Sequence, residues 1–265
     1  MCGTYGSGRS RSYFSPVALL STPTSGLAMF ILAHRWPLLV ALAFSASTVS
    51  CKSASNSESA AAAAPEAGEW RSLLTATNAD AWRGYKMTAL PTGWSVADGV
   101  LSKTKNTEDI ITKEEFADFE FEMDWKLAKG GNSGLFYRSS EEFERVYWSA
   151  VEYQLLDDGN APDGRNRLTS AAAAYGLYAA PVGIVKPFGE WNRTRIVVKG
   201  AHVEHWLNGV NVVNMELWSP DWEAKVAASK FKTWTKYGRA KRGHIAIQGD
   251  HNGELNLRNM RIRTL

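Results

Sequence analysis

Two short stretches of the chain gather residue types able to move protons and hold hydroxyl groups. In AVEYQLLDDG, Val151, Tyr153 and Leu155 alternate with Glu152 and Gln154, and Asp157 and Asp158 follow at the end of the run. Side chains two apart on a strand share a face, so a carboxylate and an amide project side by side. That pairing suits a carbohydrate cleft, where acids handle protons and amides bind hydroxyls. In HIAIQGDHNGE, Ile245 and Ile247 point to a core while Gln248, Asp250 and His251 gather at the strand's exit. Histidine exchanges protons near neutral pH.

Further candidates are more dispersed. His205 shares a face with Val203 and Leu207, a setting for a core histidine as well as a catalytic one. Arg138, in GGNSGLFYRS, lies on the parity of Phe136 and Gly134, where it either binds a substrate oxygen or pairs with a carboxylate of the sheet. Tyr137, Trp148, Tyr175, Tyr178 and Trp206 offer flat faces for sugar rings, although aromatic residues in strands more often fill cores. Glu152, Asp157, Asp250 and His251 are oxygen and imidazole donors suited to a divalent metal ion, but their spacing matches no ligand signature. No G-x-S-x-G elbow, P-loop or H-E-x-x-H motif occurs.

These residues must be positioned by strands. FEFEMDWKL alternates apolar Phe119, Phe121, Met123, Trp125 and Leu127 with charged neighbours, the period-two pattern of a sheet with one buried face. Asn208-Gly209 and Asp98-Gly99 sit between alternating runs and predict hairpins, because a type I′ turn needs positive φ at both central positions. Lys199-Gly200 marks another strand break. The inward phase of the last strand slips between Leu257 and Met260, which predicts a β-bulge near Arg258-Asn259. Short helices are expected near Ser72 to Ala76 and across Pro220 to Lys232. The resulting fold class is all-β: a β-sandwich or jelly roll of two antiparallel sheets with one or two short helices, spanning residues 69–265 as one domain.

The N-terminal part reads differently. Residues 1–50 carry Arg9, Arg11 and Arg35 and no carboxylate. The formal charge of +3 belongs to that segment, since the remaining basic residues equal the 27 acidic ones. A neutral body without basic runs excludes nucleic acid as the expected partner. The apolar run WPLLVALAF followed by STVSC is the pattern of a bacterial secretory signal, with Met29 as an alternative start. It is shorter than a membrane span. Cys51 after small residues resembles a lipoprotein acylation site, so the chain is expected to be exported to the cell envelope, periplasm or cell surface, held by a lipid anchor alone. Residues 51–68, rich in Ser and Ala, bury too little surface to order themselves and form a tether.

The ordered series GGNSGLFYR, VEYQLLDDG, AAYGLYAAP, KPFGEWNRTRIVVKG, VEHWLNG and IAIQGDHNGELNLRNMRI resembles the 3-keto-disaccharide hydrolase family over nearly the whole segment from Glu69 to Leu265. The resemblance implies a concanavalin A-like sandwich. It also implies an enzyme acting on glycosides already oxidised at C3 by a separate sugar oxidoreductase. On that reading Glu152 and His251 are the catalytic proton-transfer groups. Arg138, Gln154 and Asp157 orient the sugar or stabilise an enolate, His205 is held in reserve, and Gln248 and Tyr175 complete the substrate contacts. The rival expectation is a lectin-like surface lipoprotein that binds carbohydrate without cleaving it.

Overall fold

The structure is a computed structural model that describes residues 68–265. The expected leader, the alternative start at Met29 and the lipidated Cys51 fall outside the described residues. In chain order the strands are β1 (Arg71–Ser72), β2 (Trp82–Gly84), β3 (Trp94–Ala97), β4 (Val100–Lys103), β5 (Ile110–Thr112), β6 (Phe119–Leu127), β7 (Asn132–Ser139), β8 (Val151–Leu156), β9 (Asn192–Lys199), β10 (His202–Leu207), β11 (Val210–Glu216), β12 (His244–Ile247) and β13 (Leu255–Thr264). The α-helix among the described residues is α1 (Pro220–Ala228). It is too short to cross a membrane, and no described helix is long and apolar enough to do so.

The strands form an eight-stranded sheet ordered β11-β10-β9-β6-β13-β4-β3, with β1 beside β13, and a five-stranded sheet ordered β2-β5-β12-β7-β8. Every pairing is antiparallel. The core lies between the two sheets, where Phe121, Met123 and Trp125 of β6 belong to one apolar cluster with Leu135 and Tyr137 of β7, Tyr153 and Leu155 of β8 and Ile247 of β12. Removing such a side chain from water stabilises the fold by about 1.5–3 kcal/mol. The outward carboxylates of β6 are not simply solvated. Arg195 and Arg263 close over Glu120, while Arg193 and Arg258 close over Asp124, so arginines from the flanking strands bury an acidic row.

Local sequence accounts for the turns. Asn208 and Gly209 have φ of 51° and 85°, and Asp98 and Gly99 of 51° and 74°, as their hairpins require. The ladder of β13 with β6 shifts register between Arg258 and Arg261, where Asn259 takes φ of 54°. The expected helix near Ser72 does not form. Ser72 Oγ donates to the Leu74 carbonyl at 2.6 Å, and Thr75 Oγ1 accepts from Asn78 N at 3.1 Å, local bonds that compete with a helical ladder.

The second helix starts as expected, with Ser219 Oγ accepting from Trp222 N at 3.2 Å and Pro220 in its first turn. It ends at Ala228 rather than Lys232. Ser229 turns extended, its Oγ caps Phe231 N at 3.1 Å, and a short 3-10 turn runs over Lys230–Thr233. That break swings Lys230, Phe231 and Trp234 away from the helix axis and toward the open face of the five-stranded sheet, where they line a cleft.

Candidate active site

Strand β8 is an edge of the five-stranded sheet and carries the first constellation. Tyr153 and Leu155 enter the core, which leaves Glu152 and Gln154 on the opposite face. In register beside them on β7 stand Phe136 and Gly134. Gly134 leaves room for the carboxyl: a Cβ there would lie 2.4 Å from Glu152 Oε1 and displace it from its present position. With its amide oriented so that the nitrogen faces the two neighbouring acceptors, Gln154 donates to Glu152 Oε1 at 3.2 Å and to the Ser133 carbonyl at 2.8 Å, which fixes one carboxyl oxygen. The free edge of β8 is covered by the segment 170–178, through Ala172 N to Gln154 O at 2.8 Å and Tyr175 N to Glu152 O at 3.0 Å. The same contact brings Tyr175 to the carboxylate's side.

Glu152 forms part of the floor of a cleft of about 460 Å³. Tyr147, Trp148, Phe231, Trp234 and Tyr237 supply aromatic walls, with the Phe231 and Tyr237 rings stacked 4.1 Å apart. Lys230 Nζ lies 4.2 Å from the centre of the Tyr175 ring, and Tyr175 Oη reaches Asp163 Oδ2 at 3.4 Å. The remaining lining comes from Asn132, Gln248, Asp250 and His251. Burial pushes the Glu152 carboxyl up to about 8, reinforced by Asp163, Asp250 and Asp109 and opposed by the Lys230 ammonium. The shift favours the protonated form of the Glu152 carboxyl at neutral pH.

Four residues lining this cleft each carry a buried polar atom with no hydrogen-bond partner among the described residues: Asn132 Oδ1, Gln248 Oε1, Tyr237 Oη and Asp250 Oδ1. Buried polar groups are ordinarily satisfied, which sets this lining apart from the rest of the interior. His251 is partly exposed, its Nδ1 3.8 Å from Asp250 Oδ1. Its loop is anchored from three sides. Gln248 N donates to Gly134 O at 2.9 Å, Gly249 N to Asp109 Oδ1 at 2.8 Å, and Lys103 Nζ to the His251 carbonyl at 2.6 Å.

Of the expected site residues, Glu152, Gln154, Tyr175, Gln248 and His251 come together in the cleft, and three do not. Arg138 takes φ of 53°, a left-handed residue next to the register shift between β7 and β12, so the parity shared with Phe136 breaks. Its guanidinium turns to the Ala117 and Gly200 carbonyls, both at 2.9 Å, and to Asp118 Oδ1 at 3.0 Å. His205 is wholly buried in the core. Its Nδ1 donates to the Ala172 carbonyl at 3.0 Å, its Nε2 accepts from Tyr137 Oη at 3.1 Å, and burial pushes it down to about 4. Asp157 closes a turn, accepting from Gly130 N and Asn160 Nδ2, both at 2.8 Å. Of the aromatic candidates, Trp148 and Tyr175 line the cleft. Tyr137 is in the core, Tyr178 bonds Asp221 at 2.8 Å, and Trp206 packs against Arg195.

The metal expectation fails on geometry. Among the described residues no three His, Cys, Asp or Glu side chains converge as a metal site needs, and Asp157 is committed to its turn. The proposed donor set therefore does not fit a divalent ion.

Residues 69–263 match the family model described as the 3-keto-alpha-glucoside-1,2-lyase-like domain. The chain belongs to this family. A curated protein from Bacteroides thetaiotaomicron named 3-keto-disaccharide hydrolase is 34% identical over 216 residues, which cover 69% of this chain and 74% of the relative. Two crystal structures of candidate glycosyl hydrolases from Parabacteroides distasonis are similar to it. One is 28% identical with a TM-score of 0.69, covering 74% of this chain and 94% of that one. The other is 29% identical with a TM-score of 0.61, covering 74% and 100%. This lyase-like domain is a hydrolase.

Sequence reading missed several residues that the lyase-like domain places at the site. Lys230, Trp234 and Tyr237 arrive from the chain beyond α1, more than 70 residues from Glu152. Their signal was the aromatic and basic density of KFKTWTKYG, which has no strand or helix period. Lys103 is buried on β4 of the opposite sheet, and its terminal place in VLSK gave no hint of that role. The assembled cleft offers a protonated carboxyl, an imidazole, an ammonium and ring-stacking surfaces, the parts of a proton-transfer reaction on a sugar.

Proposed function

We propose that this hydrolase cleaves 3-keto-glycosides, 3-keto-disaccharides among them, by elimination followed by hydration. The observation that carries the reading is the place of Glu152 in a cleft walled by aromatic rings, where burial pushes its carboxyl up to about 8. A ketone at C3 acidifies the proton on C2. The His251 imidazole removes that proton, and the electron pair enters the C2–C3 enolate. The Lys230 ammonium faces the charge that gathers on the C3 oxygen. The enolate then expels the C1 oxygen as the C1–C2 double bond forms, and Glu152 gives its proton to the departing oxygen. Water next adds across the double bond, hydroxyl to C1 and proton to C2. Elimination alone is a lyase step, and both steps together are a net hydrolysis, which reconciles the family's description with the relative's name.

Supporting residues have defined tasks in this scheme. Gln154 holds Glu152 Oε1, leaving the other oxygen to carry the transferable proton. Asn132, Gln248 and Tyr237 bind hydroxyls of the sugar, and Trp148 and Trp234 stack on its ring. The proposal includes export and anchoring through Cys51, on the strength of the leader pattern, and a separate oxidoreductase that makes the C3 ketone on which the elimination depends.

The test is incubation of the purified protein with a 3-keto-glucoside and with its unoxidised parent, following release of the aglycone with and without a chelator. Release from the keto compound alone, unaffected by chelator, is the expected result. Equal release from both compounds rules out elimination, because without the ketone C2 is not acidic.

A further inference from the structure

A second cleft, also of about 460 Å³, adjoins the first, and Asp250 lines both. Its other walls include Tyr85, Asn106, Glu108, Asp109, Glu144 and Arg145. Each cleft is within the size range of small-molecule sites, about 300–1,000 Å³. Their chemistry differs. The first is walled by aromatic rings, whereas the second has one tyrosine, four carboxylates, an amide and a guanidinium.

The walls of the second cleft are fixed independently of any ligand. Asp109 is more than nine-tenths buried and holds Gly249 N. Thr107 N donates to Gly249 O at 3.0 Å, and Trp94 Nε1 to Glu108 O at 2.9 Å. Tyr85 Oη pins the chain just before Glu144 through the Phe143 carbonyl at 2.8 Å. Asp250 Oδ1 has no hydrogen-bond partner, and Asp250 Oδ2 is 3.8 Å from Arg145 Nη1. A polar, net-acidic hollow, held in shape by these hydrogen bonds and joined to the aromatic cleft at Asp250, is suited to a second sugar ring, whose hydroxyls donate to carboxylates.

Resting on the reaction proposed above, we infer that this second cleft is the leaving-group subsite, built for an uncharged sugar ring and closed to an anionic one. The keto ring stacks in the aromatic cleft, the glycosidic oxygen lies near Asp250, and the departing ring occupies the hollow between Glu108, Asp109, Glu144 and Arg145. A ring bearing a carboxylate meets four carboxylates against the Arg145 guanidinium and the Lys103 ammonium behind Asp109 and Asp250, and is repelled.

The test uses the full chain carrying Glu152→Gln, in which turnover is expected to be about 10²–10⁴-fold slower, so that binding is read before cleavage. Three ligands are titrated calorimetrically: methyl 3-keto-glucoside, a 3-keto-disaccharide with a glucose leaving ring, and one with a glucuronate leaving ring. The glucose disaccharide is expected to bind about tenfold more tightly than the methyl glycoside, and the glucuronate compound about tenfold more weakly than the glucose one. Adding Glu144→Lys should abolish the discrimination against glucuronate, and Arg145→Met should shrink the second ring's advantage. Both side chains are surface groups, so the fold should persist in these variants. Equal affinity for the methyl glycoside and the disaccharide overturns the inference, as does a discrimination that ignores both substitutions. The two readings fail separately. A second-ring gain in binding, with no turnover of any 3-keto-glycoside by the unsubstituted protein, keeps the subsite and removes the reaction. Turnover without the gain does the reverse.

Discussion

Lys103 Nζ, on a strand of the eight-stranded sheet, donates to the main-chain carbonyl of His251 at 2.6 Å, and to that of Gly253 at 3.1 Å. A buried ammonium from one sheet thus anchors the backbone of the loop that carries His251 into the cleft over the other. Replacement by Met leaves two carbonyls without their donor, at a cost of about 1–3 kcal/mol. Lys103→Met should lower kcat roughly a hundredfold by misplacing His251, with a smaller change in KM. Steady-state kinetics beside a thermal melt would check this; a lowered melting temperature with unchanged kcat would make Lys103 purely structural.

Glu152→Gln keeps the shape of the side chain and its hydrogen bond from Gln154 while removing the proton to be donated. Turnover of a 3-keto-glycoside should fall about 10²–10⁴-fold. In the unsubstituted enzyme kcat should decline as pH rises through about 8, where the acid form is lost. A kcat that climbs through the same range would make Glu152 the base instead. Stability follows the same group. Its folded pKa is raised above the unfolded value near 4.5, so its contribution is fully present below about 4.5 and is lost as pH rises through about 8. Melting curves should therefore show Glu152→Gln gaining on the parent protein from pH 5 to pH 9.

Gly134→Ala is the smallest change that moves the carboxyl proposed as the acid without altering it. The added methyl would sit 2.4 Å from Glu152 Oε1, so the carboxyl end of that side chain has to shift. A loss of roughly a hundredfold in kcat is expected with the fold retained. Circular dichroism and kinetics on the same preparation would show it, and activity within threefold of the parent would mean that the carboxyl has room to spare.

His205 makes the opposite case. His205→Leu strands Tyr137 Oη and the Ala172 carbonyl in the core and should cost about 1–3 kcal/mol, while turnover per folded molecule stays the same. The imidazole is neutral in the fold down to about 4 but takes a proton near 6.5 when unfolded. Its contribution is thus present above about 6.5 and lost as pH falls toward 4. Denaturant titrations at pH 7 and pH 5 should show a smaller acid loss in the variant than in the parent. Abolished turnover in a well-folded variant would return His205 to the mechanism.

How much of this was legible in the sequence follows from the range of the interactions. Asn208-Gly209, the slip at Asn259 and the alternation through Phe119–Leu127 are local, and each corresponds to a turn, bulge or strand in the structure. The pairing of Glu152 with Gln154 was equally local, since a strand's period of two is enough to place them together. Of the two roles open to Arg138, it takes a carboxylate partner, Asp118, rather than a place in the cleft, because a single left-handed residue inverts the parity that strand reasoning assumes. Asp157 was misjudged because a carboxylate at a strand's end serves a turn as readily as a substrate. Lys103 and Lys230 were invisible because their neighbours in space are distant along the chain. The helix expected near Ser72 lost to hydrogen bonds that Ser72 and Thr75 make with their own loop.

The segment 170–178, which lies along the free edge of β8, gives this protein a particular freedom and a particular weakness. An edge strand with open amides recruits other chains, and here the connection between β8 and β9 occupies that edge by bonding Gln154 and Glu152 itself. The same connection carries Asp163 and Tyr175 into the cleft. Insertions between residues 157 and 170 can therefore remodel sugar preference while the sheet stays sealed. A deletion that removes the bonds from Ala172 and Tyr175 opens the edge, and self-association of the folded protein becomes its first symptom.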